Sequence, residues 1–265
     1  MIHGYMPRGN VDEELYVPKG QQQIAGHAVG ILCVDGLWMP QPPGCVMNAT
    51  TYDFPVLYKI VEQTAQWKVF NPEAEEDQFS PSVLDALIAG AKELENRGVR
   101  AISGGCGFFA NFQKGVAAAV DVPVFLSALC QIPVIRQGLK PGQKIGIMTA
   151  ASDLLGVGAF SQVGVDDMSD LVIVGAQDYG EFYKVRGTHN VGHFNPFKVE
   201  QDLAVLAKQM VKDNPEIGAI LLECSAMPPY AWAIQNAVDL PVFDFYTLID
   251  WIYNSVVRRP FAGFY

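Results

Sequence analysis

Two cysteines in this sequence occupy positions where a thiol can take part in proton transfer. Cys106 lies in AISGGCGFFANFQ (101–113) and Cys224 lies in LECSAMP (222–228), each after an apolar strand-like run and before a helical pattern. The start of a helix carries partial positive charge, which can lower a thiol pKa from about 8.5 to between about 3.5 and 7.5. We therefore predict lowered pKa values and acid–base catalysis, in which one thiolate removes a proton from carbon and a thiol on the opposite side delivers one. The alternative is a pair of buried, inert cysteines.

The sequence repeats itself, and the repeat relates the two cysteines. AVDVPVF (119–125) and AVDLPVF (237–243) agree at six of seven positions and lie 118 residues apart, the same interval that separates the cysteines. An upstream pair, GHAVGILC (26–33) and GQKIGIMT (142–149), recurs after 116 residues. A repeat this long exceeds the period of solenoid proteins and predicts two similar domains made by duplication. Independent drift of two α/β halves towards similar strands is the alternative.

Each half shows the same order of elements, which places its cysteine at the end of a strand. We predict strands at 28–34, 99–105, 144–149 and 217–223, with amphipathic helices at 82–98 and 200–216. Apolar strands alternating with helices are typical of an α/β fold with doubly wound parallel sheets. Ligands bind beyond the carboxyl ends of such strands, so two domains that face each other about a pseudo-twofold axis would share one cleft. We expect a first domain of residues 20–128 with 245–265, a second of 129–244, and an N-terminal arm of 1–19.

Composition excludes several function classes. The 265 residues carry a net charge of −10, which disfavours nucleic-acid binding. Five cysteines without a CxxC pair indicate reduced thiols in the cytoplasm. We expect no signal peptide, no membrane span and no membrane partner. Dinucleotide and P-loop motifs are absent from the sequence, so we expect no nucleotide cofactor, and the lack of a nucleophile elbow disfavours hydrolase chemistry.

The pair GGCGFF and LECSAMP, the PVF strands and the internal repeat resemble the aspartate/glutamate racemase superfamily over roughly residues 24–257. That superfamily also includes hydantoin racemases, maleate isomerases, arylmalonate decarboxylases and Alma-type dimethylsulfoniopropionate lyases. The resemblance implies two flavodoxin-like domains with the active site between them. It also implies that Cys106 and Cys224 are the two acid–base groups, acting without pyridoxal phosphate or metal.

The sequence departs from the amino-acid racemases beside both cysteines. Those enzymes usually follow the first cysteine with Asn-Thr, and glutamate racemases follow the second with Thr-His; here Gly107-Phe108 and Ser225-Ala226 follow. Free aspartate or glutamate is therefore a poor candidate substrate, and a less polar carboxylate fits better. Aromatic residues can line a pocket that holds an onium group by cation–π attraction or can simply be core; they are Trp38, Tyr52, Phe108, Phe109 and Tyr230.

Further candidate contacts follow the first strand of each half. Asn48, Thr50 and Thr51 can bind a carboxylate or cap a turn, and Thr149 and Ser152 open a segment whose N–H groups can seat one. The predicted substrate-binding set is thus Trp38, Asn48, Thr50, Thr51, Tyr52, Gly107, Phe108, Thr149, Ser152 and Ser225. We assign Cys33 and Cys130 to the core and leave Cys45 open. His189 and His193 are spaced for metal binding, but Gly192 and Pro196 favour a loop, so we predict no metal site.

These patterns predict a cofactor-independent enzyme that removes the proton next to a carboxylate. Our main interpretation is a racemase or isomerase of a small anionic or zwitterionic carboxylate, which needs both cysteines. The first alternative is a lyase that eliminates a β-substituent, as in dimethylsulfoniopropionate, for which one thiolate suffices. The second is a non-catalytic binding protein. We expect a homo-oligomer.

Overall fold

Strands and helices alternate along the chain, as predicted from the apolar strand segments and the amphipathic helix patterns in the sequence. A computed structural model describes residues 25–35, 41–62, 64, 81–185 and 193–264. Within those ranges the strands are β1 (Val29–Val34), β2 (Val56–Val61), β3 (Ala101–Gly104), β4 (Val124–Phe125), β5 (Lys144–Thr149), β6 (Leu171–Gly175), β7 (Ile217–Leu222) and β8 (Val242–Phe243). The helices are α1 (Pro81–Asn96), α2 (Gln113–Ala117), α3 (Ile132–Gly138), α4 (Val157–Gln162), α5 (Phe182–Val185), α6 (Pro196–Asp213), α7 (Ala231–Val238) and α8 (Phe245–Val256). The predicted N-terminal arm lies outside the described residues.

The strands form two parallel sheets with the same order. The first runs β2-β1-β3-β4 and the second runs β6-β5-β7-β8. We call the first sheet with its helices the first lobe and the second sheet with its helices the second lobe. The predicted α/β class with two similar parallel-sheet domains is confirmed. Since every strand of a lobe points the same way, all its carboxyl ends lie at one edge.

Corresponding strands and helices pack in the same way in both lobes. Gly30 of β1 leaves room for Leu94 of α1, because an added Cβ would lie 2.9 Å from Leu94 Cδ1. Gly146 of β5 does the same for Met210 of α6, whose Cε would lie 2.7 Å from an added Cβ. Both pairs are separated by the 116 residues of the upstream repeat. The repeat is therefore a repeat of packing as well as of sequence.

The long helices are amphipathic, as their 3.6-residue pattern predicts. Val83, Leu87, Ala91 and Leu94 form the buried side of α1, and Val199, Leu203, Leu206, Ala207 and Met210 form that of α6. Asn195 begins α6 by accepting hydrogen bonds from the N–H groups of Phe197 and Lys198, with Pro196 at the first helical position. Throughout the described ranges, every helix is too short or too polar to traverse a lipid bilayer.

An apolar core joins the lobes. Ala219 and Leu221 of β7 belong to the same cluster as Ile31 and Ile102 of the first sheet, whereas the alternate residues Ile220 and Leu222 pack in a second cluster. α8 follows β8 but returns to contact β1 and β3. The two sheets are thus held side by side by buried apolar contacts. The exact domain boundaries proposed from the sequence stay a prediction.

Candidate active site

Cys106 stands in the turn that follows β3. Its backbone is extended (φ −149°, ψ 131°), and it precedes a 3-10 helix of residues Gly107–Phe112. The Gly105 N–H donates to the Leu32 carbonyl at 2.7 Å, which continues the pairing with β1 past the end of the strand. A side chain at Gly104 would overlap the Leu126 carbonyl. Glycine is therefore required where the chain turns Cys106 away from the sheet.

Cys224 stands in the corresponding turn after β7. The Glu223 N–H donates to the Met148 carbonyl at 2.8 Å, and the Met227 N–H donates to the Cys224 carbonyl at 3.0 Å. A 3-10 helix, Pro228–Tyr230, and α7 follow. Cys224 is partly buried, whereas Cys106 is 5% exposed. Both cysteines thus lie at carboxyl strand ends, as predicted, but they differ in exposure.

The two cysteine turns touch across the boundary between the lobes. Gly107 lies directly against Glu223, so that an added Cβ would overlap the Glu223 carboxyl group and main-chain carbonyl. A second contact joins the loop after β1 to the second lobe, because a Cβ at Gly44 would lie 2.7 Å from Pro229 Cα. The carboxyl ends of β3 and β7 therefore meet, which brings Cys106 and Cys224 to one region from opposite lobes.

Burial controls the protonation of Cys106. Desolvation raises its pKa well above the ordinary value, and the nearby charge of Glu223 raises it further. The N–H groups of Phe108 and Phe109 act in the opposite direction, and the charge of Cys224 adds to the increase. The predicted lowering of the thiol pKa by a helix start is wrong for Cys106, because burial and neighbouring acids outweigh two backbone dipoles. Burial and the neighbouring charges therefore favour the neutral thiol of Cys106.

Glu223 is a site residue that our sequence analysis missed. It is 1% exposed, and its Oε2 accepts a hydrogen bond of 2.7 Å from the Thr149 hydroxyl. Its Oε1 is buried and has no hydrogen-bond partner among the described residues. Burial raises its pKa to about 7, and the Thr149 hydrogen bond opposes that rise. The sequence does carry a signal for Glu223, since this acidic residue directly follows the six apolar and small residues of β7.

The predicted polar contacts after β1 hydrogen-bond within their own loop. Asn48 Oδ1 accepts from the Thr50 N–H at 2.8 Å and from the Thr50 hydroxyl at 2.6 Å. The Thr51 hydroxyl donates to the Cys45 carbonyl at 2.8 Å and accepts from the Gly44 N–H at 2.9 Å. These bonds match the turn-capping alternative. Substrate contacts by Asn48, Thr50 and Thr51 stay a prediction.

The predicted polar residues of the second lobe also have partners. Thr149 donates to Glu223, which places it beside the cysteine turns. The Ser152 hydroxyl accepts from Gln177 Nε2 at 3.1 Å, and Gln177 Oε1 accepts from the Ser152 N–H at 3.3 Å. Ser225 is partly buried next to Cys224. The lobe therefore positions Thr149 and Ser225 near the cysteines and ties Ser152 to the loop after β6.

The candidate aromatic residues are largely enclosed. Phe108, Phe109, Tyr52 and Tyr230 are at most 7% exposed. The Tyr52 ring lies 5.5 Å from the Phe54 ring and 6.3 Å from the Tyr246 ring, and its hydroxyl donates to the Val46 carbonyl at 3.2 Å. Trp38 lies outside the described residues. Core packing accounts for these four rings, and an aromatic onium pocket stays a prediction.

The remaining thiols are separate from the contact between Gly107 and Glu223. Cys33 and Cys45 are buried, and desolvation raises the pKa of each to about 12. Cys130 is only partly buried, and its Sγ donates to Gln113 Oε1 at 3.5 Å. In the described part of the chain, no three His, Cys, Asp or Glu side chains gather into a set that could bind a metal. His189 lies outside the described residues.

Comparison with known proteins gives the family. No family profile matches the chain. The chain is 31% identical over 258 residues to the dimethylsulfoniopropionate lyase of Durusdinium sp. clade D, covering 93% of this chain and 81% of that protein. It is 27% identical over 265 residues to dimethylsulfoniopropionate lyase 5 of Emiliania huxleyi (strain CCMP1516), covering 97% of this chain and 50% of the relative. This chain therefore spans only about half of the Emiliania relative.

A solved structure gives the same fold. Allantoin racemase from Pseudomonas fluorescens superposes with a TM-score of 0.53 at 15% identity, covering 87% of this chain and 91% of the racemase. At that identity the likeness concerns the fold alone, an α/β fold shared with that racemase. The identity shared with the Durusdinium lyase shows that the chain belongs to the dimethylsulfoniopropionate lyase family.

Proposed function

We propose that this protein is a lyase that splits dimethylsulfoniopropionate into dimethyl sulfide and acrylate. The observation that carries the proposal is the 31% identity to the Durusdinium lyase over most of both chains. From the sequence alone, a racemase is the main expectation and an eliminating lyase the first alternative. The racemase interpretation now rests on a fold-level likeness only, so the family relationship favours elimination.

The chemistry requires one base beside the α-carbon of the substrate. In our proposal the Cys224 thiolate takes the α-proton, and the electrons of that C–H bond form the new double bond. The electrons of the bond between the β-carbon and the sulfonium sulfur leave with the sulfur as neutral dimethyl sulfide. Acrylate retains the carboxylate, and the proton remains on Cys224 until it passes to solvent. Atoms and charge balance without an oxidant, reductant or cofactor.

The unequal surroundings of the two thiols support a one-sided reaction. Cys224 is partly exposed and can meet a substrate, whereas Cys106 is buried beside the carboxyl group of Glu223. A racemase that works in both directions needs two thiols that exchange the roles of acid and base. Elimination needs only one base, and a neutral Cys106 can donate its S–H towards the charge that builds on the substrate carboxylate.

The substrate is a small zwitterion, which matches the predicted class of small carboxylate partners. Recognition of its carboxylate by Asn48, Thr50, Thr51 or Ser225, and of its sulfonium by aromatic rings, remains part of the proposal. Assembly as a homo-oligomer and a cytoplasmic location stay predictions from the sequence.

The test is turnover of dimethylsulfoniopropionate by the purified full chain. We expect dimethyl sulfide in the headspace by gas chromatography and an equal amount of acrylate by proton NMR. Cys224→Ser removes the base and should lower kcat/KM by ~1,000-fold or more, within the range reached by acid–base groups together with fixed electrostatics. Cys130→Ser is the matched control, because its thiol already bonds to Gln113 and has no assigned role.

The same samples in D₂O separate the alternatives. Deuterium entering the α-position of chiral carboxylates, with loss of stereochemistry and without olefin, would restore the racemase interpretation. A protein that binds dimethylsulfoniopropionate but neither cleaves it nor exchanges its α-protons would be a binding protein.

A further inference from the structure

A buried carboxyl group lies behind the two cysteine turns. Glu223 is 1% exposed, one of its oxygens is bonded to Thr149, and the other has no hydrogen-bond partner in the described ranges. Its carboxyl group lies against Gly107, the residue after Cys106. Because buried carboxyl groups are normally hydrogen-bonded throughout, this arrangement calls for a functional explanation.

The first lobe offers no equivalent of this carboxyl group. The repeat that relates Cys106 to Cys224 relates Gly105 to Glu223, and the upstream repeat relates Cys33 to Thr149. The first lobe therefore has a glycine and a thiol where the second has a hydrogen-bonded acid. Across the boundary, the acid of the second lobe reaches the cysteine turn of the first. Only one of the two equivalent positions therefore carries a carboxyl group, so the region around the cysteine turns departs from two-fold symmetry.

We propose that Glu223 is a positioning residue that keeps Cys106 protonated by its charge and so reserves the role of base for Cys224. The proposal rests on the proposed lyase function, since it assigns unequal roles to the two thiols. Two negative charges close together in a buried site oppose each other, so an ionised Glu223 disfavours the Cys106 thiolate. Gly107 is required because any side chain there would displace the carboxyl group.

The surroundings of Glu223 are consistent with that role. Its charge acts on Cys106 in the turn after β3, where the charge of Cys224 also disfavours the thiolate. From β5, Thr149 offers a neutral hydroxyl that stabilises the ionised form. The pKa of Glu223 rises only to about 7, so above neutral pH the carboxylate is present and acts on Cys106.

The decisive experiment measures the Cys106 thiolate directly, without substrate. Thiolate ultraviolet absorbance is recorded against pH for the full chain and for its C106S variant, and the difference reports Cys106 alone. The same difference is taken in a Glu223→Gln background. We expect the Cys106 titration to move down by at least about one pH unit, so that at about pH 9 the thiolate signal rises several-fold.

Glu216→Gln is the matched control. It removes a carboxylate at the opposite end of β7, where Glu216 accepts a hydrogen bond of 2.7 Å from Lys144, and it should leave the Cys106 titration unchanged. An unchanged titration in a folded Glu223→Gln protein, or an equal shift in both variants, overturns the proposal. If Glu223→Gln does not fold, Thr149→Val decides. Loss of the hydroxyl keeps Glu223 protonated to higher pH, so the Cys106 thiolate should rise between pH 7 and 9, and an unchanged signal overturns the proposal.

This result is independent of turnover. A shifted Cys106 titration in a chain that does not cleave dimethylsulfoniopropionate would refute the lyase function alone. An active lyase whose Cys106 titration ignores Glu223 would refute the positioning role alone.

Discussion

The two lobes have the same strand order, but different side chains stand at the ends of corresponding strands. In the first lobe, Cys33 is a buried thiol that donates to the Ile31 carbonyl at 3.6 Å. Gly105 has no side chain, and Met47 packs against it, with its Cγ 3.3 Å from the position of an added Cβ. In the second lobe, Thr149 and Glu223 occupy those positions and bond to each other at 2.7 Å. The two lobes therefore share a backbone frame, and the residues at two corresponding positions place a carboxyl group in the second lobe only.

The comparison explains why the two thiols are not interchangeable. Each cysteine follows its strand by an equivalent turn, but Cys106 is buried near a carboxyl group of the other lobe, whereas Cys224 is only partly buried. Similar backbones therefore place the two thiols in different surroundings. An asymmetric pair suits a reaction that needs one base, which is the physical link between this site and elimination.

The largest expected effect tests whether Cys224 and Cys106 contribute unequally to catalysis. Cys224→Ser should lower kcat/KM for release of dimethyl sulfide by ~1,000-fold or more, whereas Cys106→Ser should cost ~100-fold, because a hydroxyl can still donate a hydrogen bond. Steady-state kinetics on both variants measure the ratio. Equal losses would show that the thiols act as a symmetric pair.

The next effect concerns stability against pH. The folded-state pKa of Glu223 is raised from 4.5 to about 7, so its protonated form stabilises the fold below about pH 4.5, and that stability is lost as pH rises through about 7. Relative to the parent, Glu223→Gln should therefore gain about 3 kcal/mol in free energy of unfolding between pH 4 and pH 8. Urea denaturation at several pH values measures this difference.

Glu216, at the opposite end of β7, should change stability with pH in the opposite direction to Glu223. The hydrogen bond from Lys144 lowers the pKa of the exposed Glu216, so its contribution is present above about pH 4.5 and is lost as pH falls. Glu216→Gln should thus lose relative stability as pH rises from 3 to 6. If relative stability changed with pH in the same direction in both variants, the fold would not be favouring the protonated form of Glu223.

A smaller effect tests the contact between the lobes. Gly107→Ala places a methyl group into the Glu223 carboxyl group and should lower the free energy of unfolding by about 2 kcal/mol, with loss of lyase activity, because overpacking forces both turns apart. Gly138→Ala is the control, since nothing lies within 4 Å of an added Cβ in α3. Chemical denaturation and kinetics measure both. A Gly107→Ala protein as stable and active as the parent would show that the turns do not need this contact.

The smallest effect compares equivalent packing positions. Gly30→Ala meets Leu94 and should cost about 2 kcal/mol, whereas Gly146→Ala meets the flexible end of Met210 and should cost about 1 kcal/mol. Thermal denaturation measures the difference. A larger cost at Gly146 would indicate that the second lobe is the more tightly packed of the two.

Much of the fold was predictable because periodicity and local capping act within short segments. The strands before Cys106 and Cys224 and helices α1 and α6 fall where their apolar patterns place them. The start of α6 is the exception, since it begins at Pro196, four residues before the predicted start, through the Asn195 cap. In the candidate site, only the positions of the two cysteines were predictable, because they follow from the repeat and from the rule for strand ends.

The protonation of the site was not predictable from local sequence. The start of a helix suggested a lowered Cys106 pKa, but burial and Glu223 reverse the direction. The loop residues Asn48, Thr50 and Thr51 were ambiguous in sequence, and in the structure they bond to one another or to their own loop. Such outcomes depend on neighbours that are distant in sequence.

By itself, the sequence determined the duplicated α/β frame and the two thiols at matching strand ends, because hydrophobic period and repeat spacing are local properties that survive folding unchanged. Only the tertiary structure decided that Gly107 meets Glu223, that one thiol is buried and the other partly exposed, and that the acid of the second lobe acts on the thiol of the first. Those facts depend on desolvation and on electrostatic interactions between groups more than 100 residues apart, which exist only once the lobes have come together.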